Sequence, residues 1–216
     1  MDITVWLRNN YIEVFGAVTG IIYVFLEIRQ NIWLWPLGIV TSAVYIWVFF
    51  TSKFYADMSL QVYYLAISIL GWYWWARGGR MGEGENGRKG DELAVTHLTI
   101  RIGLILLSVF IFLFIATWYV LMEMTDSPVP AWDAFITSLS VVATWLLARK
   151  IYEHWYLWIV VNSVSAVIFF ARGLYPTVIL YIIYGLMSFV GLVEWKKGMR
   201  ESGRRGERGE REKGRH

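Results

Sequence analysis

The chain has 216 residues, 57% of them apolar and 18% aromatic, with 13 Trp and no Cys. That balance is too apolar for a soluble domain of this length, and without thiols there are no disulfides and no cysteine-ligated metals. The formal charge of +3 does not signal nucleic acid, because Lys and Arg gather in loops and at the C-terminus instead of forming a basic face interleaved with aromatics.

In chain order, apolar stretches run over 11–28, 33–51, 57–76, 98–121, 132–148, 155–171 and 176–195. Each is long enough for a hydrocarbon core of about 30 Å, which takes roughly 17–25 helical residues. None alternates like a barrel strand, and lipid cannot satisfy open backbone groups, so all seven are expected to be helices. Residues 1–10 lack the basic start and cleavage site of a signal peptide. Residues 77–97 and 196–216 are Gly-rich and charged, and they read as a solvated loop and a solvated basic tail. With the C-terminus inside, the cytoplasmic segments hold sixteen Lys and Arg against three in the outer ones. The positive-inside bias therefore predicts an outer N-terminus and a cytoplasmic C-terminus.

Sliding the chain by 120 residues places 13–75 over 133–195 without a gap. Arg29/Arg149, Trp35/Trp155, Tyr55/Tyr175, Tyr64/Tyr184, Ser68/Ser188, Gly71/Gly191 and Trp75/Trp195 coincide. Such an offset predicts an internal repeat: copies at 11–76 and 132–195, with 98–121 as a linker helix between them. Three spans plus one put both copies in the same orientation. The expected fold is an all-α integral membrane protein of seven transmembrane helices, two parallel three-helix repeats joined by a linker (3+1+3, SWEET-like).

Binding sites in such repeats lie near the membrane midplane, so polar residues at mid-span are the candidates. Span three carries Asp57, Gln61, Tyr64, Ser68 and Gly71 at steps of three and four, which is one helical face. Span seven carries Thr177, Tyr181, Tyr184, Ser188 and Gly191; span two carries Trp35, Gly38, Ser42 and Tyr45. Spans five and six add Ser140 and Thr144, and Trp158 and Asn162. The candidate substrate contacts are Gln61, Tyr64, Trp158, Asn162, Tyr181, Tyr184, Ser42, Tyr45, Trp35 and Thr144.

Simpler explanations stand beside several of these. Ser68, Ser188, Gly71 and Gly191 fit close helix packing. Trp33, Trp35, Trp72, Trp74, Trp75 and Trp195 lie near span ends, where an interfacial aromatic belt is expected. Asp57 and Asp133 sit in first turns, where the helix dipole favours a carboxylate. Gln61 and Asn162 are different, because an amide in hydrocarbon is costly unless it is partnered. They align with Tyr181 and Ser42, so the two copies differ at their central polar positions, as an asymmetric ligand requires. The acidic residues Glu13, Glu27, Asp57, Asp133, Glu153 and Glu194 all fall near span ends, which predicts a neutral pocket. Trp, Tyr and amides without a midplane cation suit a flat, polar, cationic molecule and disfavour a phosphorylated one.

An enzyme would need a nucleophile, an acid–base pair or a metal cluster. The three His, at 97, 154 and 216, lie in a loop, near a membrane edge and at the terminus, so neither metal nor cofactor is expected. An integral-membrane enzyme is the alternative of a different class, and no filter motif supports a channel.

The stretches WPLG at 35–38, FYADMSLQVYY at 54–64 and GWYWW at 71–75, with WD at 132–133, ARKIYEHWYLWIVVN at 148–162 and GLYPTVILYIIY at 173–184, cover both copies. In these the sequence resembles the bacterial PnuC transporters. The resemblance implies a SWEET-like fold in the inner membrane and facilitated diffusion of nicotinamide riboside, trapped by a cytoplasmic riboside kinase. It also implies that Gln61, Trp158 and Asn162 contact substrate. Related transporters of thiamine or riboflavin make another vitamin, or a sugar, the alternative substrate. A homo-oligomer is left open.

Overall fold

The computed structural model describes residues 11–53, 55–77, 93–125 and 127–213. They form α1 (Tyr11–Ile28), α2 (Leu34–Thr51), α3 (Tyr55–Arg77), α4 (Ile100–Met124), α5 (Pro130–Ala148), α6 (His154–Ala171) and α7 (Tyr175–Lys213). Six of these are long and apolar enough to cross a membrane. The exception is α3, which has 23 residues and hence ample length but carries Asp57, Gln61 and several Tyr. Its Gln61, Tyr64 and Ser68 face the cavity described below, so lipid does not have to accept them, while Asp57 is exposed in the first turn.

Three helices end in the same hydrogen-bonded device. Gln30 N–H donates to the Glu27 carbonyl at 3.0 Å and Asn31 N–H to that of Leu26 at 2.9 Å. The same pair of bonds recurs 120 residues later, from Lys150 to Leu147 and from Ile151 to Leu146, both at 2.9 Å. Gly173 and Leu174 close α6 in the same way. This closure satisfies otherwise orphaned carbonyls and needs a left-handed residue. Gln30 and Lys150 adopt it at φ 51° and 50°, and Lys53 and Gly173 at 62° and 73°. Each pair is separated by 120 residues, so the sequence offset is matched by a backbone offset.

Side-chain packing follows the same spacing. The Trp35 ring lies across Gly71 and meets Trp75 edge-on, with centroids 5.4 Å apart at 85°. Trp155 lies across Gly191 and meets Trp195 at 5.7 Å and 85°. Trp75 Nε1–H donates to the Ala148 carbonyl at 3.2 Å, and Trp195 Nε1–H to the Glu27 carbonyl at 3.1 Å. Each half therefore donates one indole bond to the other. With Leu34, Leu147 and Tyr152, these four Trp form the main buried cluster, at the end of the bundle carrying the 29–33 and 149–153 turns.

This packing corrects the expected aromatic belt. Trp33 and Trp72 are exposed, as belt residues should be, but Trp35, Trp75 and Trp195 are core. Sequence position near a span end did not distinguish an outward-facing indole from one over a partner helix's glycine.

Within each half α2 packs on α3, and α6 on α7; between halves α1 packs on α7, and α3 on α5. Among the described helices α4 touches only α5, and it buries none of its residues. Its start is tied to the α5–α6 turn. Thr96 N–H donates to the Lys150 carbonyl at 3.0 Å, Tyr152 N–H returns a bond to Thr96 at 2.9 Å, and the Glu153 carboxylate accepts from Leu98 N–H at 2.8 Å. Most of the 77–97 loop lies outside the described residues. The basic tail continues the last helix, because the α7 backbone stays helical to Lys213. No Pro follows Pro176, and its Glu, Arg and Lys are good helix formers.

Candidate functional site

A cavity of about 410 Å³ lies between the two halves, within the size range of small-molecule sites. From α2 it takes Gly38, Thr41, Ser42 and Tyr45, and from α3 Gln61, Tyr64 and Ser68. The α5 helix adds Ile136, Ser140 and Thr144, at steps of four, and α6 adds Trp155, Trp158, Val161 and Asn162. Tyr181, Tyr184 and Ser188 of α7 close it.

Of the candidate contacts, Gln61, Tyr64, Trp158, Asn162, Tyr181, Tyr184, Ser42, Tyr45 and Thr144 all line this cavity. Trp35 does not. It is fully buried against Gly71 and Trp75, and its role is packing. Sequence reasoning missed the whole contribution of α1: Gly16, Thr19, Gly20, Tyr23, Val24 and Glu27. Their spacing was available as a signal, since 16, 20, 23 and 27 fall on one helical face.

The α1 glycines have a steric purpose. A Cβ at Gly16 would collide with the Tyr45 hydroxyl, and one at Gly20 with that of Tyr184. The bare backbone lets both phenols reach across the cavity, and Tyr45 OH donates to the Ile12 carbonyl at 3.4 Å. Phe169 stacks on Tyr181 at 5.2 Å, and Tyr181 meets Tyr184 edge-on at 5.9 Å. Aromatic faces thus line one side of the site.

The polar groups are held by helix backbones. Thr144 Oγ1–H donates to the Ser140 carbonyl at 2.8 Å, and Ser188 Oγ–H to that of Tyr184 at 2.8 Å. Asn162, buried on α6, donates through Nδ2 to Ser188 Oγ at 3.3 Å. That contact ties α6 to α7 and leaves a second N–H and a carbonyl on the amide. The indole N–H of Trp158, one helical turn earlier, is buried without a hydrogen-bond partner. A buried donor of this kind costs free energy unless something polar meets it.

One wall position overturns the expectation of a neutral pocket. Glu27 is near the end of α1 in sequence, yet its buried side chain lines the cavity. Its Oε1 lies 3.1 Å from Nε2 of His154, which is also buried. The other described acids fit the reading as span-end residues better. Asp133 accepts from Ser127 Oγ at 2.6 Å and lies 3.6 Å from the Arg172 guanidinium. Among the described residues, no group of three or more His, Asp or Glu could hold a metal ion.

A cavity of this size lined by aromatic rings, amides and hydroxyls can hold a small polar molecule. Comparisons with known proteins agree. Residues 10–197 match the family described as nicotinamide mononucleotide transporter. The nicotinamide riboside transporter PnuC of Escherichia coli K12 is 30% identical over 213 residues, covering 91% of this chain and 89% of its own. The riboflavin/roseoflavin transporter RibM of Streptomyces davaonensis is 25% identical, covering 85% and 83%. A crystal structure of the vitamin B3 transporter PnuC superposes with a TM-score of 0.68 at 24% identity, over 91% of this chain and 85% of that one. With the family model spanning nearly all seven helices and a relative aligned almost end to end, this chain belongs to the PnuC family of membrane transporters.

Proposed function

We propose that this transporter carries nicotinamide riboside across the bacterial inner membrane, through the cavity between its two halves. The observation that carries the reading is the lining itself: Tyr and Trp faces, two amides and several hydroxyls, with no Lys, Arg or His among the described lining residues. The aromatic faces suit a cationic pyridinium ring, and the amides suit its carboxamide and ribose. A phosphate would enter without a cation to meet it. The relatives named as riboside transporters support the same substrate, and RibM makes riboflavin the second reading.

In this reading the fold is 3+1+3, with parallel copies and α4 as the linker that preserves their orientation. The N-terminus is outside and the C-terminus cytoplasmic. Gln61, Tyr64, Trp158, Asn162, Tyr181 and Tyr184 hold the substrate. Transport is uniport, and a cytoplasmic riboside kinase traps what enters. Calorimetry on the purified protein tests the substrate. Riboside should bind at least ~100-fold more tightly than its mononucleotide, because burying an unpaired phosphate costs several kcal/mol. Equal affinities, or riboflavin binding better than riboside, would remove the reading.

A further inference from the structure

The 120-residue offset makes one feature of the cavity wall stand out. The equivalents of Glu27 and His154 in the opposite halves are Leu147 and Leu34. Both leucines are fully buried in the same apolar cluster. One side of the scaffold therefore closes with two leucines, and the other with a carboxylate and an imidazole. Packing alone does not require the charged version, since a buried ion pair is commonly no more stable than apolar residues of similar volume.

The geometry gives the pair a direction. His154 Nδ1 is 2.7 Å from the Ile151 carbonyl, which can only accept, so that nitrogen carries a proton. Nε2 then faces Glu27 Oε1 at 3.1 Å. Glu27 lines the cavity, whereas His154, with no exposed surface, does not. The carboxyl end of the pair thus faces the ligand. The Oε1–Nε2 contact also lacks the alignment of a hydrogen bond, leaving Oε1 with unused accepting capacity. Trp195 fixes the Glu27 backbone by donating to its carbonyl.

We infer that Glu27 is the counter-charge of the binding site, the residue that makes the cavity prefer a cationic nucleoside over a neutral one of the same shape. Among the described residues lining the cavity it is the only Asp, Glu, Lys, Arg or His. Glu27 is buried, and a buried carboxylate acts on a nearby cation more strongly than one in solvent. The inference rests on the riboside reading and adds a specificity determinant to it: the aromatic and amide groups recognise shape, and Glu27 reads charge.

The test compares nicotinamide riboside with its dihydro form, which keeps the ribose and carboxamide but is uncharged. Calorimetry on the wild type should give tighter binding of the cation by about tenfold or more. Glu27→Gln should shrink that ratio at least several-fold. A Glu27→Leu/His154→Leu double variant copies the apolar pair of the opposite half. It should stay monodisperse and show the same shrunken ratio, which keeps the test open if the single variant misfolds. Equal binding of the two forms by the wild type would overturn the inference without any variant. So would a folded variant that loses both forms alike, for Glu27 would then be structural only. Wild type that binds neither form but takes riboflavin would instead overturn the riboside reading, and this inference with it.

Discussion

Asn162 has two demands on one amide. It bonds Ser188 across the α6–α7 contact, and its remaining N–H and carbonyl lie at the cavity wall. Replacing Asn162 or Gln61 by Ala should weaken riboside binding by roughly 5–150-fold, the worth of one buried hydrogen bond, while the protein still folds. Trp158→Ala removes a ring face and an unpartnered buried N–H, and a comparable loss is expected. Calorimetry on the three variants checks this; unchanged affinity in all of them would confine these residues to packing. Trp75 gives a contrasting case. It is buried, braces Trp35 and bonds Ala148 of the other half. Trp75→Ala should cost about 3–5 kcal/mol of stability, read as a lowered melting temperature in detergent.

At the scale of helices, close approach depends on glycine. Trp155 lies over Gly191 and Trp35 over Gly71 so tightly that a methyl at either glycine would overlap the indole carbons. The rings are walled in by Trp195 and Trp75 and have no free direction in which to yield. Gly71→Ala and Gly191→Ala should each destabilise by roughly 1–3 kcal/mol or more, through strain and not through lost hydrophobic burial. Thermal unfolding of the purified variants reads the effect. A methyl accepted without loss at both sites would show that the indoles can shift. Gly185, by contrast, meets only Asn162 Cβ at 3.9 Å, an ordinary contact, so Gly185→Ala serves as the control.

For the whole molecule the question is energy coupling. Proton- and sodium-driven carriers need an ionisable group or an oxygen cage within the membrane. The Glu27–His154 pair is an ionisable group in the cavity wall, but its carboxyl group already has a buried imidazole 3.1 Å away as its neighbour. Uniport therefore predicts that purified protein in liposomes, with no kinase inside, brings internal riboside only up to the external concentration. Accumulation above that level under an imposed proton or sodium gradient would overturn uniport. Topology is tested separately. A tag at residue 210 should be protected from impermeant reagents in intact cells, given the sixteen-to-three bias of Lys and Arg.

Local chemistry determined much of this protein. Six of the spans follow from length and hydropathy, the offset of 120 residues from identical residues, and most of the cavity lining from polar positions at steps of three and four. These are properties of a single helix or of one sequence laid on itself, and they need no knowledge of which helices touch. Tertiary structure alone decided the rest. Trp35 and Trp75 left the expected belt because α2 and α3 cross at Gly71. The face of α1 became a cavity wall because α1 packs against both α2 and α7. Glu27 joined the site because a residue at a span end still reaches inward when a neighbouring helix opens with a buried His154. Burial of a charge is a relation between two helices, and neither sequence carries it alone.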